Sequence, residues 1–149
     1  MRKYFTVNKS SFELAKFVSG SNRSSVLDIF WYPALIALSS GLPGTYWRTL
    51  LLRAYGAKIR QNCIFRPGLY VKRPWSLRIG NDVWIGRDVH IDNVAPLIIG
   101  GNTCISQGVK FCNGNHRWDD KTFRECSEPI HIHSGVWVGA YSVIGPGVR

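Results

Sequence analysis

The 149-residue sequence predicts a mainly β fold in which the chain winds into a three-sided solenoid of about four stacked turns. Three observations lead to this prediction. A large apolar residue recurs every six positions after residue 58, the spacing departs from six only at every third step, and glycine often follows the apolar residue. Neither an α-helix nor an alternating strand has a period of six. Three hexads therefore make one turn, and additional residues leave the solenoid at one corner of that turn.

Residues 1–58 precede the repeats and form a predicted N-terminal helical segment. One helix is predicted over residues 25–39, beginning at Ser24 or Ser25 and kinked or started by Pro33, and a second over residues 45–55, ending at Gly56. The faces expected to be buried comprise Val26, Ile29, Phe30, Pro33, Ala34 and Ala37 in the first helix, and Trp47, Leu50, Leu51 and Ala54 in the second. Both helices are expected to cap the repeats; the alternative is a basic anchor on a membrane surface.

Residues 59–149 form the predicted repeat domain. Four triplets of apolar residues are expected to point inward and to stack into one continuous core. They are Ile59, Phe65 and Val71; Ile79, Ile85 and Ile91; Ile99, Ile105 and Phe111; and Ile132, Val138 and Ile144. The glycines that follow inward residues are expected to supply backbone freedom at the corners. They are Gly80, Gly86, Gly100, Gly139 and Gly145. The fourth turn stops part-way through its third face, which predicts a chain truncated at its C-terminus.

The composition excludes some classes of protein and favours others. With 45% hydrophobic and 19% charged residues, the chain is too apolar to be disordered. The net charge of +10 favours anionic partners, but no aromatic RNA-binding motif accompanies it, so no nucleic acid partner is predicted. The longest apolar run, residues 26–38, is shorter than the roughly 20 residues of a membrane span. Because no signal-peptide pattern is present either, we expect a cytoplasmic protein with reduced cysteines.

Several runs in the repeat domain resemble one family of enzymes. Ile79-Gly-Asn-Asp-Val-Trp-Ile-Gly-Arg-Asp-Val and Val136-Trp-Val-Gly-Ala-Tyr-Ser-Val-Ile-Gly-Pro-Gly-Val resemble the hexapeptide-repeat acyltransferases. Ile91-Asp-Asn-Val-Ala-Pro, Cys104-Ile-Ser-Gln-Gly and Gly114-Asn-His-Arg-Trp-Asp-Asp are similar to acetyltransferases of colanic-acid and related exopolysaccharide clusters, kin to galactoside and maltose O-acetyltransferases. The resemblance implies a left-handed parallel β-helix. It also implies acetyl-CoA as co-substrate, a sugar or lipid-linked saccharide as acceptor, and a homotrimer with active sites between subunits.

The long loop predicted over residues 112–131 carries the candidate catalytic residue. It holds His116 in a turn rich in glycine and asparagine, and a neutral imidazole can take a proton from an alcohol near neutral pH. From the residues by themselves, a solvated loop histidine is the alternative. The resemblance implies that His116 is the catalytic base, which deprotonates an acceptor hydroxyl so that the oxygen attacks the thioester directly.

The resemblance also implies binding residues at other positions. For the substrate they are Asp92 and Asn93, and for CoA they are Trp137, Gly139 and Ala140. The loop itself offers two further substrate-binding candidates, Trp118, which could touch a sugar ring, and Asp119, which could instead orient His116 or keep the loop soluble. Asp92 and Asn93 end the second turn, one coil before the loop that holds His116, and one of the two is expected to contact the acceptor. The alternatives are an ordinary polar turn at Asp92-Asn93 and an ordinary exterior aromatic residue at Trp137. Trp118 could instead pack the loop against the solenoid.

No metal is expected. His131 and His133 flank an inward residue, so they are predicted to point out of the solenoid as surface residues. The four cysteines have no spacing typical of metal ligands. The residues leave two other functions open: a non-catalytic scaffold that binds polysaccharide or an anionic membrane surface through its basic N-terminal half, and a zinc hydratase.

Overall fold

The computed structural model describes the backbone of residues 22–149 and the side chains from residue 28 onward. Helix α1 spans Asn22–Leu38, helix α2 spans Tyr46–Ala54, and a short 3-10 helix spans Pro74–Ser76. All other regular elements within the described residues are β-strands. The predicted capping segment is thus described from residue 22, and Val26 lies outside the described side chains.

Twelve of the strands form three four-stranded parallel sheets, which are the three faces of a prism. The first face contains β1 (Lys58–Ile59), β4 (Leu77–Ile79), β7 (Leu97–Ile99) and β12 (Ile130–Ile132). The second contains β2 (Ile64–Phe65), β5 (Trp84–Ile85), β8 (Cys104–Ile105) and β13 (Trp137–Val138). The third contains β3 (Tyr70–Val71), β6 (His90–Asp92), β9 (Lys110–Cys112) and β14 (Val143–Ile144). Each coil contributes one strand to each face.

The predicted inward residues stack in register along each face. On the second face, Ile85 pairs with Phe65 on one side and with Ile105 on the other. The same holds for the inward residues of the other two faces. All twelve are buried except Ile144, which is partly buried and packs against the same core. The predicted left-handed parallel β-helix of four coils is confirmed.

Three of the five glycines that follow inward residues have a role different from the predicted one. Gly80, Gly86 and Gly100, which lie beside a following coil, all have negative φ, so they do not supply unusual backbone conformations. A Cβ atom on Gly80 would lie 2.5 Å from the backbone nitrogen of Gly101, and one on Gly86 would lie 2.6 Å from that of Gln107. These positions therefore require glycine because the next coil passes too close for a side chain.

The loop predicted over residues 112–131 is not structureless. It contains strands β10 (Gly114–His116) and β11 (Glu125–Ser127), which pair antiparallel as a hairpin. The two strands form a sheet of their own and pair with no strand of the three faces. The extra residues leave between the third and the first face, which is the corner that the spacing predicted.

Helix α1 packs on the first coil through a face other than the predicted one. Its buried side chains include Trp31 and Leu38, and the indole nitrogen of Trp31 donates a 2.8 Å hydrogen bond to the carbonyl oxygen of Val71. Ile29 and Phe30, which were expected to be buried, are exposed. The prediction was wrong for these two residues, although Ala34 of the predicted face is partly buried and packs on the core. Residues 29–38 of α1 are all apolar, so the sequence does not mark one face as the buried one. Pro33 lies inside the helix rather than at its start.

Helix α2 also differs from the expected pattern. Its fully buried residues are Arg48 and Leu52, whereas Leu50 and Ala54 of the predicted face are exposed. The guanidinium of Arg48 donates hydrogen bonds to the carbonyl oxygens of three residues in the turn between the helices. These are Ser40 at 3.1 Å, Leu42 at 2.5 Å and Gly44 at 2.6 Å. Arg48 is therefore the residue that organises this turn, a role that a search for apolar stripes cannot detect.

The two helices close one end of the prism. Their buried side chains Trp31, Leu38 and Leu52 belong to the same core cluster as the inward residues of the coils. Gly56 follows α2 with a φ of 92°, the left-handed conformation expected of a helix-ending glycine. Within residues 22–149, neither helix combines the length and apolar character needed to cross a bilayer.

Candidate active site

Two buried asparagines hold the corner from which the hairpin emerges. Asn113 accepts a hydrogen bond from the Ala95 backbone N–H at 3.0 Å and donates one to the Ala95 carbonyl at 2.6 Å. One coil earlier, Asn93 makes the same pair of hydrogen bonds with the backbone of Arg73, at 3.0 and 2.7 Å. Each asparagine is only 1% exposed. The backbone carbonyl of Asn113 also accepts a 3.1 Å hydrogen bond from the Glu128 backbone N–H, and this bond closes the base of the hairpin.

The tip of the hairpin is held by hydrogen bonds among its own residues. The Arg117 guanidinium donates two hydrogen bonds to the Asp119 carboxylate, at 3.1 and 2.8 Å, and this contact lowers the pKa of Asp119. The backbone and hydroxyl of Thr122 donate to Asp120 at 2.9 and 2.7 Å, and they lower the pKa of that carboxyl. Trp118 is 80% exposed, so it does not pack the tip against the prism.

His116 ends strand β10 and is oriented by a residue on the other side of the hairpin. Its ring lies parallel to that of Phe123, with 4.5 Å between centroids and 4° between planes. Its Nδ1 atom lies 2.9 Å from the carbonyl oxygen of Phe123. Because a carbonyl can only accept, Nδ1 carries the hydrogen, and in the neutral ring the lone pair is then on Nε2. Phe123 has a φ of 51°, an unfavourable conformation for a bulky residue, and such conformations cluster at functional sites.

Asp92 lies at the same corner as the hairpin. It ends β6 and pairs in register with Cys112, which ends β9 four residues before His116. Its carboxylate forms a 2.8 Å ion pair with Lys72, and its side chain is 38% exposed. Two residues at this turn are candidates for contacting the saccharide acceptor. The side chain of Asp92 is partly exposed, whereas the side-chain amide of the buried Asn93 bonds to the backbone of Arg73.

The three CoA candidates lie on another side of the prism. Trp137 is on the outside of the second face, is 77% exposed, and donates a 2.9 Å hydrogen bond from its indole nitrogen to the hydroxyl of Ser106. Gly139 and Ala140 follow on the surface. Because the hairpin leaves at the corner between the third and first faces, it is opposite the second face. One chain therefore brings Asp92 and His116 to the same corner but does not bring Trp137 to them.

The remaining candidate ligands are dispersed. Among residues 22–149, no three His, Cys, Asp or Glu side chains group closely enough to hold a metal ion. His131 is partly buried and His133 is exposed, both outside the inward Ile132 as predicted. All four cysteines are free thiols.

Two residues that shape the site were not identified from the sequence. Phe123 is the one large apolar residue in an otherwise polar stretch, residues 119–129, and this contrast is the signal that could have identified it. Asn113 recurs twenty residues after Asn93, and in the structure this interval is one coil. A repeat search restricted to apolar residues does not detect a buried polar position of this kind.

Comparison with known proteins gives the relatives of the chain. No family model matches it. Over 141 residues, 93% of the chain, it is 31% identical to the Escherichia coli (strain K12) protein named "Putative colanic acid biosynthesis acetyltransferase WcaF", of which it covers 76%. The Shigella flexneri protein of the same name matches equally. Nodulation protein L of Rhizobium leguminosarum bv. viciae is 30% identical over 105 residues, 68% of this chain and 55% of that protein.

The stacked hexads and the corner hairpin define a left-handed β-helix protein with its candidate chemistry at one corner. The relatives identify the class more closely: the chain belongs to the family of hexapeptide-repeat acetyltransferases. It is therefore an acyltransferase, which confirms the predicted family and enzyme class in place of the scaffold and hydratase alternatives.

Proposed function

We propose that the protein transfers an acetyl group from acetyl-CoA to a hydroxyl of a cell-surface polysaccharide or its lipid-linked precursor, with His116 as general base. The observation that carries the proposal is the 2.9 Å contact between Nδ1 of His116 and the carbonyl oxygen of Phe123. This contact selects the tautomer whose Nε2 can accept a proton. The name of the Escherichia coli relative, which refers to colanic acid biosynthesis, supports a saccharide as the acceptor.

The proposed reaction is a direct transfer within a ternary complex. Nε2 of His116 takes the proton of the acceptor hydroxyl while the oxygen attacks the carbonyl carbon of the thioester. The tetrahedral intermediate collapses with cleavage of the C–S bond, and His116 returns the proton to the departing sulfur. The products are the O-acetyl ester and CoA with a free thiol. No acetyl group becomes attached to the protein.

The acceptor is proposed to bind at the corner between the hairpin and the preceding coil. Asp92 is the stronger of the two candidates at the turn, because its side chain is partly exposed there and a carboxylate can accept a hydrogen bond from a sugar hydroxyl. Asn93 instead contributes by holding the corner. Trp118 presents an exposed ring on which a sugar could stack, and the neighbouring Asp119 adds a hydrogen-bond acceptor.

The donor is proposed to lie along the second face. Trp137 is exposed there for contact with the pantetheine arm, and Gly139 leaves the backbone accessible, because a Cβ at that position would meet no atom closer than 3.8 Å. Ala140, also exposed, extends the same surface. The net charge of +10 favours an anionic donor such as CoA.

A homotrimer is part of this proposal. The base and the donor candidates lie on different sides of one chain, so a complete site needs the hairpin of one subunit to meet the second face of its neighbour. Three-fold packing of three-sided prisms supplies three such boundaries. We propose the cytoplasm as the compartment of the reaction.

The first experiment compares His116→Ala with His133→Ala, using acetyl-CoA and lipid-linked or soluble saccharide acceptors. Loss of a general base should lower kcat by at least about 10²-fold, while CoA binding by titration calorimetry stays unchanged. His133 is exposed on the prism, so its variant should retain wild-type kcat. Near-normal transfer by His116→Ala would show that another group is the base.

A second experiment tests direct transfer. Cys112 lies four residues before His116 and is partly exposed, which makes it the alternative nucleophile. Incubation with radiolabelled acetyl-CoA in the absence of acceptor should leave the protein unlabelled, and Cys112→Ala should retain activity. A labelled protein whose label disappears in Cys112→Ala would replace the direct mechanism with an acyl-enzyme, without affecting the family assignment.

A further inference from the structure

Helix α1 presents a row of large apolar side chains to solvent. We refer to this row as the outer face of α1. Its members are Ile29, Phe30, Tyr32 and Ile36, with exposures of 71, 66, 64 and 62%. At about 100° per residue, Ile29 and Ile36 lie opposite the buried residues Trp31 and Leu38, and Phe30 and Tyr32 lie on the two flanks. No described part of the chain covers them.

The outer face is unusual for a protein surface. A helix that is apolar on all sides is normally buried on all sides, because each large apolar side chain left in water forgoes a favourable transfer free energy. In α1 only one side packs on the prism. Singly exposed apolar residues need no explanation, but four large ones within eight residues of one helix mark an interaction surface.

The charge of the sequence that precedes the outer face indicates the kind of surface this face binds. Residues 1–58 carry eight basic and two acidic residues. The acidic residue within α1, Asp28, faces Arg73 at 4.0 Å and is thereby compensated. Five of the basic residues come before the outer face in the sequence. They are Arg2, Lys3, Lys9, Lys16 and Arg23.

We propose that the outer face of α1 docks the protein on an anionic phospholipid bilayer. Aromatic and aliphatic side chains next to a basic stretch are the combination that binds in the plane of such a membrane, where apolar residues enter the headgroup boundary and cations contact the headgroups. A second copy of the chain fits this region less well, because the like charges of two basic N-terminal segments would repel each other. The inference goes beyond acetyl transfer and does not depend on it.

The experiment uses the full chain and sedimentation with vesicles. Vesicles of phosphatidylcholine containing phosphatidylglycerol should bind the protein, pure phosphatidylcholine vesicles should bind it much less, and high salt should release it. The double variant Phe30→Ser/Ile36→Ser should bind at least about tenfold more weakly, since it removes two large apolar side chains from the buried contact. Val143→Ser, at a similarly exposed apolar residue on the third face (67%), is the matched control and should bind as the wild type does.

Three results would overturn the proposal. The double variant could bind anionic vesicles as tightly as the wild type, the wild type could bind neutral vesicles equally well, or light scattering could show that the double variant changes the oligomeric state. The last result would assign the outer face to contact between copies. Because both substituted side chains are exposed, an unchanged melting temperature confirms that the double variant is folded.

Discussion

The prism and the hairpin come from one stretch of chain but are held in different ways. In the prism, an inward residue of a middle coil is flanked in register on both sides, as Ile105 is by Ile85 and Val138. The hairpin has three residue pairs, all between its own two strands. Its tip adds hydrogen bonds and ion pairs that also stay within it. Asn113 anchors its base to the prism.

Because of this difference, we expect the prism to determine the stability of the protein and the hairpin to determine its catalytic activity. The coils bury the apolar core, so substitutions there should change the free energy of unfolding. The hairpin buries little and carries His116, so substitutions there should change catalysis at nearly constant stability. The boundary between the two regions, at Asn113, should affect both. Each of the following predictions tests one part of this division.

The largest expected effect is on stability, from Ile105→Ala in the centre of the prism. The side chain is fully buried, so its removal leaves a cavity that should cost about 2–5 kcal/mol in the free energy of unfolding. Trp118→Ala removes a larger side chain from the hairpin, but that side chain is 80% exposed and its loss should change stability by under about 0.5 kcal/mol. Chemical denaturation at one protein concentration measures both. Comparable losses in the two variants would mean that the hairpin unfolds as part of the core.

The next effect concerns the boundary between the two regions. Asn113→Ala and Asn93→Ala each leave a backbone N–H and carbonyl, buried at Ala95 and partly buried at Arg73, without their side-chain partner, so each should lose about 1–3 kcal/mol of stability. Only the Asn113 side chain fixes the residue whose backbone carbonyl closes the base of the hairpin, so only its variant should also lower kcat. Acetyl-transfer assays well below both melting temperatures separate these outcomes. A stable Asn93→Ala protein without activity would instead make Asn93 an acceptor-binding residue.

The sequence predicted the prism in more detail than it predicted the hairpin. The inward positions could be predicted because stacked coils repeat one apolar requirement every six residues, and each coil confirms the next. The hairpin occurs once in the described part of the chain, so no repeated pattern indicates its strands. For the same reason the role of Phe123 could not be predicted. The buried face of α1 was predicted wrongly for another reason. Residues 29–38 of α1 are all apolar and are compatible with several packing directions. The hydrogen bond from the Trp31 indole to the Val71 carbonyl accompanies one of them, and a contact between residues 40 positions apart cannot be predicted from the sequence of the helix.

A smaller effect is expected from Phe123→Leu in the hairpin. The backbone carbonyl that bonds to His116 remains, but the ring that stacks on the imidazole is lost. A less well positioned base should lower kcat by about tenfold, with an unchanged KM for acetyl-CoA. Phe123→Tyr keeps the stacking ring and should restore kcat. Equal activity in Phe123→Leu and wild type would show that the carbonyl positions His116 without help from the ring.

The smallest expected effect is a pH dependence on the outside of the third face. The ring of His90 stacks on that of Tyr70, with 4.1 Å between centroids and 1° between planes. Burial lowers the pKa of His90, with Lys110 and Lys72 acting in the same direction and Asp92 opposing them. As the pH falls below about 6.5, the ordinary value for histidine, the unfolded chain therefore takes up this proton before the folded one does. Stability should decrease through that range and level off below the pKa of the folded state.

His90→Gln isolates this contribution. Wild type and variant share every other titrating group, including Asp92 and the two lysines, so the acid-induced loss that they have in common cancels in the comparison. Between pH 7.5 and pH 5.5, wild type should lose more unfolding free energy than His90→Gln, as measured by denaturation at matched ionic strength. Equal losses would show that the imidazole takes up its proton as readily in the folded protein as in the unfolded chain, so that burial on this face is too slight to affect a charge. The protonation of His90 would then be independent of the packing of the prism beneath it.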